Sequence, residues 1–132
     1  MRYLLDANTL VAAMRSHPIV LQHLGSVAPG DCGISTITRY ELSVGVEKSA
    51  NPVKEKAKVD LLIRAFRRLR FGVAAAESAA RVRAFLESQG TPIGPYDTLL
   101  AGHALSLSLI VVTANVKEFS RVPGLTVENW QV

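Results

Sequence analysis

Residues 108–114 read SLIVVTA. Leu109, Ile110, Val111 and Val112 form an unbroken apolar run, rich in β-branched side chains and closed by polar residues on both sides. A run this short with no polar alternation predicts a strand buried on both faces, the environment of a parallel sheet. Just upstream, YDTLLAGHALSL (96–107) is apolar almost all round, which predicts a buried helix. Before it, AAAESAARVRAFLESQ (74–89) predicts a helix stopped at Gly90, and TPIGP (91–95) a loop. Downstream, NVKEFSRVPG (115–124) predicts a loop and LTVENW (125–130) a last edge strand.

The N-terminal half repeats the alternation. RYLL (2–5) predicts a strand and ANTLVAAMRS (7–16) a helix, with Leu10, Val11 and Met14 at helical spacing. Pro18 starts a second short helix ending near Gly25. APGD is a turn and CGIS (32–35) a strand, followed by a helix over TITRYELSVGVEKSA (36–50). Residues 52–70, PVKEKAKVDLLIRAFRRLR, predict one long basic amphipathic helix, and FGV (71–73) a weak strand. Strands alternating with helices predict an α/β fold with a mainly parallel central sheet. The length of 132 residues predicts a single domain, 1–132.

Apolar residues make up 48% and charged residues 20%, enough for a core and against disorder. One cysteine, Cys32, excludes a disulfide framework, and three scattered histidines lack metal-ligand spacing. No stretch reaches the roughly 18 apolar residues of a membrane span, and Asp6 interrupts any signal-like N-terminus. A reducing, cytoplasmic setting is expected. The net charge of +4 tilts the partners toward polyanions such as nucleic acid.

Ligands of open α/β sheets bind beyond the carboxyl ends of the strands. Asp6 follows the first strand, Thr113 and Asn115 follow SLIVV, Glu41 lies early in the helix after CGIS, and Asp97 opens the 96–107 helix. Each has a structural alternative. Asp6 suits a helix N-cap accepting from Asn8 or Thr9. Asp97, two residues after Pro95, suits the helix dipole. Glu41 shares an arc with Ile37, Val44 and Gly45, where a carboxylate is costly unless paired; Lys48 is the structural partner on that arc. Gly45 either clears room beside the acid or allows close helix packing. Converging carboxylates repel, and a divalent ion relieves the repulsion. Oxygen-only donors select Mg²⁺, with Mn²⁺ an acceptable substitute. A basic protein holding such an ion reads as a nuclease.

The stretches LLDANTL, ISTITRYELSVGVEKS, GPYDTLLAGHA and IVVTANVKEFSRVPGLTVENW resemble, in order and over essentially the whole chain, the PIN domain, in particular the VapC-type toxins of toxin–antitoxin pairs. The resemblance implies a three-layer PIN-like fold and Mg²⁺-dependent endoribonuclease activity on structured RNA, with products carrying 5′-phosphate and 3′-hydroxyl ends. It carries the catalytic and metal-binding roles to Asp6, Glu41 and Asp97. Asn8, Thr113 and Asn115 become supports that aim carboxylates or waters. Many PIN domains have Asp where Asn115 stands, which bears on a second metal; Glu118 is the alternative charge, though a solvated loop acid beside Lys117 is the favoured reading. GTPIGPYD and EFSRVPGLTVENW resemble the subgroup that cuts initiator tRNA in the anticodon region. A VapB-like antitoxin and a homodimer are implied as partners, with no membrane.

Arg15, Arg39 and Lys48 are candidate substrate contacts near the expected pocket. The basic segment 54–70 reads as a solvated face, with an RNA track as the sharper alternative. His103 reads as a core or dimer-contact residue, Cys32 as buried, Trp130 as a C-terminal anchor, and Tyr96 as a packing residue, with stacking on a base as the alternative. Two further functions compete: an inactive PIN-like partner within a DNA-binding antitoxin complex, and a phosphatase-like enzyme with Asp6 as nucleophile. The second wants another Asp where Asn8 stands.

Overall fold

Tyr3, Leu4 and Leu5 form the first strand, and their two-residue period divides the molecule. Tyr3 and Leu5 enter one hydrophobic core and Leu4 the other. All three are buried because β1 (Tyr3–Leu5) lies in the middle of the sheet. The computed structural model describes residues 1–132. From β1 the chain runs through α1 (Ala7–Met14), α2 (Pro18–Ser26), β2 (Cys32–Ser35), α3 (Thr36–Glu47), α4 (Pro52–Ile63), β3 (Arg67–Leu69), α5 (Val73–Ser88), α6 (Pro95–Ser106), β4 (Ile110–Val112), α7 (Val116–Phe119) and β5 (Val127–Glu128).

The five strands lie in the order β3-β2-β1-β4-β5, and every pairing is parallel. The expected α/β fold with a parallel sheet is what forms. Helices α1 to α4 cover one face around Leu10, Val20, Leu42, Val46, Val59 and Ile63. Helices α5 to α7 cover the other around Val82, Leu86, Leu100, Ala104 and Phe119. These are the three layers. Helices α5 and α6 press so closely at Gly102 that a Cβ there would lie 2.3 Å from the Ala79 backbone. Trp130 secures the C-terminus as expected: it is buried, stacks on His23 at 5.2 Å and donates from Nε1 to Glu128.

Three sequence expectations change. The basic helix ends at Ile63, and Arg67–Leu69 forms an edge strand parallel to β2, so the strand is not FGV. Backbone pairing to β2 and the seat of Leu69 over Gly33 outweigh the local pattern, and arginines suit an exposed edge. The 115–124 loop contains the single-turn helix α7. No helix is long and apolar enough to cross a membrane.

Candidate active site

After β1 the chain proceeds to β2 and β3 on one side, then returns to β4 on the other. The strand order therefore reverses between β1 and β4, and a crevice opens beyond their carboxyl ends. Leu5 pairs with Val112, so Asp6 and Thr113 are the first residues past the sheet on neighbouring strands. The Asp6 N–H donates to the Val112 carbonyl at 3.1 Å. The Thr9 hydroxyl donates to the same carbonyl at 3.2 Å. These bonds clip the start of α1 to the end of β4.

Asp6 is the N-cap of α1: its Oδ1 accepts from the Thr9 N–H at 2.8 Å. The capping role is thus real, but it uses one oxygen only. Oδ2 has no protein partner and stays in touch with solvent, since no side-chain oxygen is both buried and unpartnered. Thr38 on α3 donates to the Leu5 carbonyl, drawing α3 to the same rim. One turn along α3, Glu41 faces a cleft of about 560 Å³ walled by Ala7, Asn8, Arg15, Gly45 and Lys58. Its carboxyl is raised above the usual range, first by burial and then by the charge of Asp6. Lys48 makes no ion pair with Glu41: it is exposed at the end of α3. Gly45 serves the cleft rather than helix packing, for a Cβ there would meet nothing within 4 Å.

Asp97 stands in the first turn of α6, after the Gly94 cap and Pro95. Its Oδ2 accepts from Asn115 Nδ2 at 2.9 Å, and the same amide nitrogen donates to Glu118 Oε2 at 2.6 Å. Asn115 therefore spends both amide hydrogens holding two carboxylates side by side. Thr113 shapes the turn that presents it, its Oγ1 accepting from the Asn115 N–H at 2.9 Å. Asp97 is pushed up to about 6, first by burial, then by the hydrogen bond shared with Glu118, against the Asn115 amide that lowers it. The charges of Glu118 and Glu41 raise it further.

Asp6, Glu41, Asp97 and Glu118 are thus electrostatically linked along one rim. No three acidic, histidine or cysteine side chains close into a ready-made cage. The expected cluster of Asp6, Glu41 and Asp97 is therefore spread along the rim rather than closed. Its donor chemistry fits a hard divalent cation: oxygen only, half-buried, and relieved at Asp97 by an amide rather than by Lys or Arg.

Glu118 is the residue the sequence undervalued. It is half-buried and bonded into the rim, not a solvated loop acid. The signal was its i,i+3 spacing from Asn115 within a helical turn. Lys58 was read as part of a solvated face; it lines the Glu41 cleft beside Arg15 while lying 3.9 Å from Glu55. Asn8 is exposed on the cleft wall and bonds to no carboxylate. Arg39 points elsewhere, pairing with Asp60 at 3.4 Å and lining a separate cavity with Arg68 and Arg70. His103 is a core residue, its Nδ1 2.9 Å from Ser35 Oγ. Ser35 Oγ also accepts from the Ile37 N–H, and burial holds His103 below its usual value. Cys32 is buried, its thiol pushed up to about 11 by burial and by Asp31. Tyr96 is exposed, contrary to its packing assignment.

An all-parallel sheet in the order 3-2-1-4-5, with acids at the crossover rim, is the architecture of a PIN domain. Residues 3–125 match the PIN domain family, and the chain belongs to it. The relatives are VapC proteins. The chain is 38% identical to the tRNA(fMet)-specific endonuclease VapC of Salmonella typhimurium, over 98% of both chains. It is 35% identical to Ribonuclease VapC2 of Rickettsia felis, again over 98% of both. Among solved structures, DNA-bound VapBC from Salmonella typhimurium superposes with a TM-score of 0.92 at 38% identity, covering 98% of each chain. VapBC2 from Rickettsia felis, bound to a promoter DNA fragment, gives 0.92 at 34% identity, covering 98% and 99%.

Proposed function

We propose that this protein is a divalent-cation-dependent endoribonuclease, the toxin half of a type II toxin–antitoxin pair acting in the cytoplasm. The observation that carries the reading is the acid rim at the β1–β4 crossover, where Glu41 and Asp97 are raised above the usual carboxylate range by burial and by neighbouring acids, and Glu41 faces an open cleft. Mg²⁺, or Mn²⁺ in its place, would be held by Asp6 and Asp97, with Glu41 and Glu118 adjoining. Such an ion supplies an activated water and charge stabilisation for the phosphoryl transition state. The protein's part is positional. The capping bond fixes Asp6, the Asn115 amide fixes Asp97 and Glu118, and either Glu41 or Asp97 would take the proton of an attacking water. Arg15 puts positive charge on the cleft wall where a phosphate backbone would lie, beside Lys58, whose charge is shared with Glu55.

The relatives' names support an RNA substrate, and one of them names tRNA(fMet), which makes structured tRNA the substrate to try first. The VapBC complexes support a VapB-like antitoxin as partner; a homodimer is the expected assembly. The uncharged Asn115 would suit a binding-only partner, but Glu118 restores a negative charge beside it. The test is incubation of the purified protein with total RNA and with initiator tRNA, with Mg²⁺ and with EDTA, followed by mapping of new 5′ ends. Discrete cleavage with Mg²⁺ that disappears in Asp6→Asn is expected. Wild-type protein that is folded and inert toward both RNAs would sink the reading.

A further inference from the structure

Two aromatic side chains at the edge of the rim have no part in the chemistry above. Tyr40 and Tyr96 are 51% and 43% exposed, while Tyr3, Phe119 and Trp130 are buried. Each directly precedes a rim carboxylate, Tyr40 before Glu41 on α3 and Tyr96 before Asp97 on α6. The two rings touch, with centroids 5.5 Å apart and planes at 50°. Their hydroxyls lie 3.3 Å from each other. The Tyr96 hydroxyl is also within electrostatic reach of Glu41.

The Tyr96 hydroxyl donates to the Tyr40 hydroxyl, which ties the pair together, and ring face and ring edge form much of the surface it offers outward. A rim of carboxylates repels a phosphate backbone, and bound RNA needs attraction that adds no competing charge at the acids. Stacking of a base on a neutral aromatic ring supplies it. Cleavage in a recessed rim also needs a nucleotide freed from its helix, and unpaired bases are commonly captured on aromatic side chains. Two side chains make a patch the size of one base. A stable protein interface needs roughly 800 Å² from each partner, far more than this pair presents.

We propose that Tyr40 and Tyr96 form a stacking platform that holds one unpaired RNA base beside the acid rim and so places the adjoining phosphodiester at the carboxylates. This inference rests on the ribonuclease reading, and its test separates the two. The probe is a single-stranded oligoribonucleotide carrying one 2-aminopurine, whose fluorescence is quenched on stacking. It is titrated in EDTA with the wild type, Tyr40→Ala, Tyr96→Ala and the corresponding Phe and Leu variants, and KM and kcat for RNA cleavage are measured with Mg²⁺.

The wild type and the Phe variants quench. The Ala and Leu variants lose the quench and bind about 5- to 100-fold more weakly. In cleavage the loss falls on KM more than on kcat. The Leu variants keep apolar bulk, so they serve where an Ala variant fails to fold. Quenching and KM unchanged in folded Ala or Leu variants would overturn the platform. So would defects confined to self-association or to antitoxin binding, which would assign the pair to a protein partner. A wild type that quenches the probe yet cleaves no RNA keeps the platform and ends the ribonuclease reading; one that cleaves without quenching does the reverse.

Discussion

Asp60 on α4 and Asp97 on α6 are the same side chain in opposite electrostatic surroundings. Asp60 lies 2.6 Å from Lys56 Nζ and 3.4 Å from Arg39. The Lys56 hydrogen bond, with the charges of Lys56, Arg39 and Arg64, holds its carboxyl below the usual range. Asp97 has a neutral amide and other acids for neighbours, and its carboxyl is pushed up to about 6 by burial and by Glu118. The first acid has its charge already answered, so nothing is left for a ligand. The second keeps an electrostatic demand that a divalent cation would relieve. A carboxylate is marked as functional by the absence of a resident counter-charge, a property that residue type and burial do not reveal.

The sharpest way to break this contrast is to neutralise both acids in parallel. Asp97→Asn should lower kcat/KM for RNA by more than about 100-fold, beyond the 10- to 100-fold typical when only a support of a metal ligand is lost. Asp60→Asn should leave cleavage within about twofold, as expected of a surface ion pair. Comparable losses in both variants would remove the distinction. Next comes the amide that bridges Asp97 and Glu118 in place of a cationic side chain. Asn115→Ala leaves Asp97 and Glu118 side by side with nothing between them. Cleavage should fall by about 10- to 100-fold, the scale of a lost support. Higher Mg²⁺ should recover part of it, because the remaining acids still attract the ion. No recovery at any Mg²⁺ concentration would show that Asn115 acts other than by holding the acids.

The two regions differed in how far the sequence exposed them. Asp6 and Asp97 were legible because local chemistry marks them: one ends an apolar strand as a cap, the other follows Gly94 and Pro95 into a helix. Glu41 was legible as an acid on an apolar arc. Glu118 was not, because α7 is one turn long and too short for periodicity to show. Arg39 was misplaced because its partner, Asp60, belongs to another helix and the pairing is purely tertiary. The arginine strand β3 was hidden for the same reason: its hydrogen bonds go to β2, and nothing in RRL itself favours a strand over the end of a helix.

The seat of α6 tests whether Asp97 owes its surroundings to packing. Gly102 lies on the helix that carries Asp97, with the Ala79 backbone where a Cβ would go. Neither backbone can yield cheaply, so Gly102→Ala should destabilise by at least about 1–3 kcal/mol, the usual range for overpacking. Thermal denaturation in EDTA would read this as a drop of about 4 °C per kcal/mol. An unchanged melting temperature would show that α6 shifts freely, and the fixed distances around Asp97 would lose their support.

The smallest effect is the most specific, because it turns on a sign. In the folded chain Asp97 keeps its proton to about 6, whereas an unstructured aspartate releases it near 3.8. Between those values the folded state binds more protons than the unfolded state, so this group makes metal-free stability fall as pH rises from about 4 to about 6, and leaves it lower above. Asp97→Asn removes that slope. In EDTA the variant should therefore gain on the wild type by a few degrees in melting temperature above pH 6, with the gain vanishing toward pH 4. Saturating Mg²⁺ at pH 7 should reverse the ranking, since an ion bound only by the folded wild type adds about 2.7 kcal/mol at 100 times its Kd. Asp60→Asn should do the opposite in EDTA: its carboxyl is held low by Lys56, so its contribution is present above the ordinary carboxylate range and lost on acidification, and the variant should be the less stable protein at neutral pH. Two aspartates whose asparagine variants shift stability with the same sign would mean that the surroundings described for one of them are wrong.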